Sequence, residues 1–250
     1  MLIKNLKIIF IASLLILPIN GYGYDWSFAK PWGVYDIKQL QRGFKIYREV
    51  CASCHSLRYV STSDLAALGY DKKTILNWAE ETRVIDEKNT YYPINMNLDN
   101  FPYFLSNYPG EIVDLSLIAK ARENIKKKSL ISNNQNSADY IVDFLLGYRD
   151  PPKDIKNNKF GYYNIAFSGS NFTAMPDILV DDLVNYEDNV AQTKEQYAKD
   201  IAAFLVWASD PHMEKRKILG FWVIVFLVIL SIILYIRKII IWKNVTKSDK

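Results

Sequence analysis

The plainest pattern along the chain lies near its C-terminal end. Residues 218–236 form a run of about 19 positions without a charge, long enough for a helix to cross a hydrocarbon layer of roughly 30 Å. Nothing else in the sequence could wrap so uniformly apolar a helix, so 215–240 reads as a membrane span rather than a core helix. Trp222, Tyr235 and Trp242 suit interfacial positions. Arg237, Lys238, Lys243, Lys247 and Lys250 follow, so 241–250 reads as a basic cytoplasmic tail. Lys215, Arg216 and Lys217 argue weakly the other way and are partly offset by Glu214. At the N-terminal end, the apolar run 8–17 follows Lys4 and Lys7 and is broken by Pro18. It is too short to span, and Gly21-Tyr22-Gly23 offers small residues at signal-peptidase spacing. Residues 1–23 therefore read as a cleaved export signal, with Tyr24 opening the mature chain. The topology that follows is a body outside, one span and a short tail inside.

The body, 24–214, shows short helical periods separated by irregular stretches, so the fold class is mainly α. Asp36 caps a helix over 37–50, with Leu40, Phe44, Tyr47 and Val50 on one face, and this helix ends at Cys51. A short turn over 64–68 is stopped by Gly69. Asp71 caps 72–83, with Ile75, Trp78 and Ala79 inward. Residues 115–127 have helical period. Ser137 caps 138–146, with Gly147 at the C′ position. Thr193 and Gln196 form a capping box ahead of 195–208, and Asp210-Pro211 separates that helix from the span. The stretches 86–110 and 151–187 are long, loop-like and aromatic, suited to wrapping a large apolar ligand. The polar stretch 126–136 reads equally well as a solvated loop.

The formal net charge of +4 misleads, because much of the surplus sits in the tail and the leader. The body shows no basic face, which excludes nucleic acid as a partner. Cysteine usage is more telling. The chain has 2 cysteines and 2 histidines, and Cys51-Ala-Ser-Cys54-His55 takes both cysteines and one histidine. C-x-x-C-H is the spacing that attaches one c-type haem covalently: two thiols for its vinyl groups, then an imidazole for its iron. A thioredoxin-like pair would want a βαβ context that is not visible, and no second ligand pair completes a zinc site. A structural disulfide between near neighbours is the remaining bland reading. Export and this motif support each other, since bacterial c-type haem is attached outside the cytoplasmic membrane.

His55 should hold one axial position, and the opposite ligand must be sought elsewhere. Methionine and histidine are the usual choices. Met1 leaves with the leader, and His212 and Met213 sit against the span. Met175, in Thr173-Ala-Met-Pro176, leads, because a residue before proline has a stiff, extended backbone. Met96 is the reserve and His212 a third choice; a loop methionine also commonly serves packing alone.

These residues together resemble the cytochrome c1 family, the haem subunit of the quinol–cytochrome c oxidoreductase (bc1) complex. The resemblance rests on Gln41-Arg-Gly-Phe-Lys-Ile-Tyr-Arg-Glu-Val-Cys-Ala-Ser-Cys-His-Ser-Leu57, on Asp114-Leu-Ser-Leu-Ile-Ala-Lys-Ala-Arg122 and on Asp143-Phe-Leu-Leu-Gly-Tyr-Arg-Asp-Pro-Pro152. It extends to Thr173-Ala-Met-Pro176 and to the run from Ala203 into the span. It implies a cytochrome c-like helical haem domain with long wrapping loops, Met175 as the sixth ligand, and Arg122 against a haem propionate. It further implies an electron carrier without substrate chemistry of its own. The electron would come from a Rieske iron–sulfur protein and leave to a cytochrome c, within a dimeric complex that also holds cytochrome b. The place would be the bacterial inner membrane, with the haem domain periplasmic. Ile112-Val113 stand where the family usually has a Pro-Pro pair, and Asp177 follows Met175-Pro176 where a proline-rich run is common. Asp177, Asp181, Asp182, Glu187 and Asp188 form an acidic stretch suited to steering a basic partner.

Overall fold

The computed structural model describes residues 23–81, 103–104, 106, 112–122, 137–152, 161–167 and 171–248. The leader run 1–22, Met96, most of 86–110 and the polar stretch 126–136 lie outside the described residues. Among the described residues the fold is mainly α. Helix α1 (Ile37–Ile46) starts at Asp36, whose Oδ1 accepts from the backbone N–H groups of Lys38 (3.0 Å) and Gln39 (3.3 Å). The predicted helix 37–50 does not stay α to its end. Over Tyr47–Cys51 it widens into a π turn, in which Ala52 N–H reaches back to the Tyr47 carbonyl at 2.8 Å. Single π turns of this kind gather at functional sites.

A short strand, β1 (Leu57–Ser61), follows, then a 3₁₀ segment (Thr62–Leu68) closed by Gly69 in the left-handed region at φ 83°. Helix α2 (Lys72–Glu81) is capped by Asp71, which accepts from the Thr74 N–H at 3.0 Å. Strand β2 (Tyr103–Phe104) pairs antiparallel with β1. Helices α3 (Ile118–Arg122) and α4 (Ser137–Leu146) come next, then a small hairpin of β3 (Tyr162–Tyr163) and β4 (Phe172–Thr173). Helix α5 (Lys194–Ser209) lies at the centre of the body, with Tyr197, Ala198, Ala202, Phe204 and Trp207 buried. Its Thr193 cap forms, but Gln196 turns its amide to Asp200 (2.9 Å), so only the first half of the expected box is made.

Helix α1 packs on one side of α5 and α4 on the other. Gly43 sets how closely α1 approaches. A Cβ there would lie 2.2 Å from the Asp200 carbonyl oxygen and 2.6 Å from the Phe204 Cβ. Beside it, the fully buried Asp200 carboxylate accepts from Arg42 Nε (2.8 Å) and the Tyr186 hydroxyl (2.8 Å). Arg42 also donates to Asp188 at 2.7 Å, so the charge that burial would penalise is matched on both sides of the helix pair.

After Asp210-Pro211 the chain enters α6 (Met213–Ser248), apolar enough over Met213–Trp242 to cross a membrane. Its base is tied to the body. Lys217 Nζ donates to the carbonyls of Phe28 (2.6 Å), Lys30 (2.8 Å) and Gly33 (3.1 Å), and Tyr35 N–H donates to Glu214 (2.8 Å). A chain of aromatic contacts, Tyr24 to Trp26 to Phe28 to Tyr35, carries this N-terminal strap back along the body.

Candidate functional site

Cys51, His55, Arg122 and Met175 line one cavity of about 190 Å³, measured as the space open to the centre of a water molecule. The π turn delivers Cys51. Burial pushes the Cys51 thiol up to about 12, with the neighbouring Cys54 adding to the shift. That is the opposite of the lowered thiol found in disulfide-exchange pairs. Cys54 is half-buried, with the Ser53 hydroxyl 3.8 Å from its sulfur, and it lies just outside the cavity lining.

The chain then turns so that His55 N–H bonds the Cys51 carbonyl (2.8 Å). Nδ1 of His55 lies 2.7 Å from the carbonyl oxygen of Val113. A carbonyl only accepts, so this bond places the imidazole proton on Nδ1 and leaves the Nε2 lone pair available as a ligand. The segment that carries Val113 is itself pinned. Leu115 N–H donates to the Ser56 carbonyl (2.9 Å), and the Asp114 carboxylate accepts from Arg58 N–H (2.9 Å) and Ser116 N–H (2.9 Å). The Tyr47 hydroxyl donates to the His55 carbonyl at 2.9 Å. Asp114-Leu-Ser thus works as a clamp between two loops, with Leu115 turned to the cavity.

Helices α3 and α4 build the next wall, with Ile118, Arg122, Tyr140, Ile141 and Phe144. The Arg122 guanidinium stands 6.0 Å from the Tyr140 ring centre and is the one permanently charged group among the described lining residues. A further wall is the loop after β4, with Met175, Ile178 and Leu179. Met175 is held by its backbone. Its carbonyl accepts from the Tyr148 hydroxyl (3.0 Å) and its N–H donates to Thr173 Oγ1 (3.3 Å). Tyr148 comes from the stretch just after α4, so the Asp143–Pro152 motif supplies both a wall and the support of the Met175 loop. Ile46 of α1 with Ile201 and Leu205 of α5 form the floor.

Sequence reasoning singled out the four lining residues but missed the Val113 carbonyl, Tyr47 and Tyr148. A main-chain acceptor leaves no signal in residue type; the tyrosines lay inside the quoted motifs without a visible reason. The acidic stretch divides. Asp177 pairs with Lys194 Nζ (2.6 Å), Asp181 accepts from Lys194 N–H (2.6 Å) and Asp188 serves Arg42, whereas Asp182 and Glu187 stand exposed.

Residues 26–245 match the model of the Cytochrome C1 family. The chain is similar to cytochrome c1 of Blastochloris viridis, 34% identical over 98% of this chain and 99% of the relative. It is similar to cytochrome b/c1 of Bradyrhizobium diazoefficiens, 35% identical over 89% of this chain and 35% of that longer protein. A mitochondrial heme protein of Solanum tuberosum, cytochrome c1-2, is 36% identical over 91% of this chain and 86% of the relative.

Proposed function

The chain belongs to the cytochrome c1 family, and on that premise we propose that it passes single electrons from a Rieske iron–sulfur protein to a cytochrome c in a bc1 complex. Membership makes it a membrane-anchored, haem-bearing electron-transfer subunit. The observation that supports the finer reading is the convergence of Cys51, His55, Arg122 and Met175 on one apolar cavity.

The residues present fit a single covalent haem c. Cys51 and Cys54 would hold it through their two thiols. His55 would offer Nε2, oriented by its Nδ1–H bond to Val113, and Met175 would offer its thioether. Arg122 supplies a fixed positive charge for a propionate in an otherwise apolar wall. Bound there, haem supplies reversible one-electron chemistry. The protein's part would be to hold the iron with His55 and Met175, exclude water with Leu115, Ile141, Phe144 and Leu179, and present a docking surface.

The relative named cytochrome b/c1, of which this chain spans about a third, supports cytochrome b as a neighbour in the complex. Residues 1–23 act as the export signal, 24–214 as the periplasmic haem domain, 215–240 as the span and 241–250 as the cytoplasmic tail. The test is purification in mild detergent. A b-type cytochrome and a Rieske protein should co-purify, and quinol should reduce the c haem. A c haem that purifies alone and is not reduced by quinol would defeat the reading, as would absence of covalent haem after acid–acetone extraction.

A further inference from the structure

We propose that cleavage of the leader after Gly23 creates a structural ion pair, in which the new α-ammonium of Tyr24 docks on the buried Asp139 carboxylate and locks α4 in place. The inference rests on reading 1–23 as a cleaved leader. Asp139 lies in the first turn of α4 and is 3% exposed. Its Oδ1 accepts from Trp26 Nε1 at 2.6 Å and from the Tyr24 main-chain nitrogen at 3.2 Å. The nitrogen that a signal peptidase would free is therefore already on this carboxylate.

Carboxylates gather around Tyr24. Asp143, Glu195 and Asp139 all act to raise the Tyr24 phenol, after burial itself, with Lys199 opposing them from 5.1 Å above the ring. Gly23 meets the same group: a Cβ added to it would lie 2.3 Å from Asp139 Oδ2.

The chemistry is hydrolysis by a signal peptidase. Water breaks the Gly23–Tyr24 amide, Gly23 leaves as the leader's carboxylate, and the Tyr24 nitrogen becomes an amine that takes up a proton at neutral pH. One neutral N–H donor becomes a charged group with three, so a hydrogen bond already assisted by the carboxylate's charge becomes one between opposite ions. The group so fixed carries Tyr140, Ile141 and Phe144 on the cavity wall. The strap from Tyr24 through Trp26 and Phe28 to Tyr35 joins it to the base of α6. Removal of the leader would then tighten the cavity wall only after export, on the side where haem is attached.

The test uses the full chain isolated from membranes with its haem. N-terminal sequencing should begin at Tyr24. Asp139→Asn should lower the thermal midpoint by about 2–4 °C, and one alanine inserted between Gly23 and Tyr24, which moves the amine by about 3.8 Å, should do the same. The two changes together should cost no more than either alone. A mature chain that begins elsewhere, an inserted-alanine chain that melts with the wild type, or fully additive losses would each overturn the ion pair. The insertion decides the matter alone if Asp139→Asn fails to fold. Haem content and quinol-dependent reduction, read in the same wild-type sample, report separately on the electron-transfer reading.

Discussion

Replacing Tyr148 with Phe removes the hydroxyl that holds the loop of the proposed sixth ligand. The ring keeps its edge contact with Phe144 (centres 5.9 Å apart), while the 3.0 Å hydrogen bond from the hydroxyl to the Met175 carbonyl is lost. Burial, with the charge of Asp177 behind it and an opposing hydrogen bond to Asn164, pushes the Tyr148 phenol up to about 12, so it is a neutral donor at any physiological pH. A neutral hydrogen bond of this kind contributes about 0.5–1.5 kcal/mol. Because Tyr148 is only half-buried, water can partly replace it, and about 1 kcal/mol is the fitting value. At 1.4 kcal/mol per decade this raises the fraction of molecules with the Met175 loop open roughly fivefold. Carbon monoxide binds a ferrous haem only when the methionine has left, so its binding rate should rise by the same factor. The far-red band of methionine-ligated ferric haem should persist, since the closed form still dominates. A binding rate unchanged from wild type, in a variant with normal haem content, would refute the idea that Tyr148 holds this loop. Complete loss of the far-red band would refute the magnitude.

Other outcomes follow from the same geometry. Met175→Ala should retain covalent haem yet bind carbon monoxide rapidly and show a lowered reduction potential; unaltered spectra would remove Met175 from the site. Gly43→Ala forces a Cβ into the Asp200 carbonyl, so α1 and α5 must part; overpacking of this kind costs about 1–3 kcal/mol, to be read as a lower midpoint in thermal circular dichroism. Of the acidic stretch, neutralising Asp182 and Glu187 should flatten the salt dependence of cytochrome c reduction more than neutralising Asp177, which Lys194 already occupies; equal effects would disprove the division. Burial, with Glu187 adding and Arg48 opposing, raises the Tyr70 phenol to about 12 from an ordinary 10. Its neutral form therefore favours the fold below pH 10, and that contribution is lost as pH climbs from 10 to 12; Tyr70→Phe should soften the alkaline loss of stability measured by denaturant titration.

What was legible in the sequence was what local chemistry encodes. Asp36, Asp71 and Thr193 announce their helices because a short acceptor side chain has little other use at those positions. The C-x-x-C-H spacing names its ligand directly. The π turn at Tyr47–Cys51 was not legible, since the same residues satisfy either an α or a π repeat and tertiary packing decides. Nor was β1, where Leu57 and Val60 are buried and Arg58 and Tyr59 exposed, a pattern that breaks the two-residue period at a bulge. Gly147 shows a subtler gap. Its place after α4 suggests a left-handed cap, yet its φ is not positive; an added Cβ would instead strike Asn164 Oδ1 and the Asp143 carbonyl, each at 2.6 Å. The Met-Pro step alone ranked Met175 ahead of Met96, and the family resemblance strengthened that choice; the hold on its loop was not legible, because it comes from Tyr148, 27 positions away.

The hold on His55 comes from the main chain of Val113, not from its side chain. Every amino acid carries that carbonyl, so the imidazole's orientation is indifferent to what residue 113 is and sensitive only to the path of the backbone through it. The side chain at 113 can then change the cavity it lines without turning the imidazole, provided Asp114 and Ser116 keep the loop on course. A family can lose its prolines at this wall and keep its histidine facing the same way.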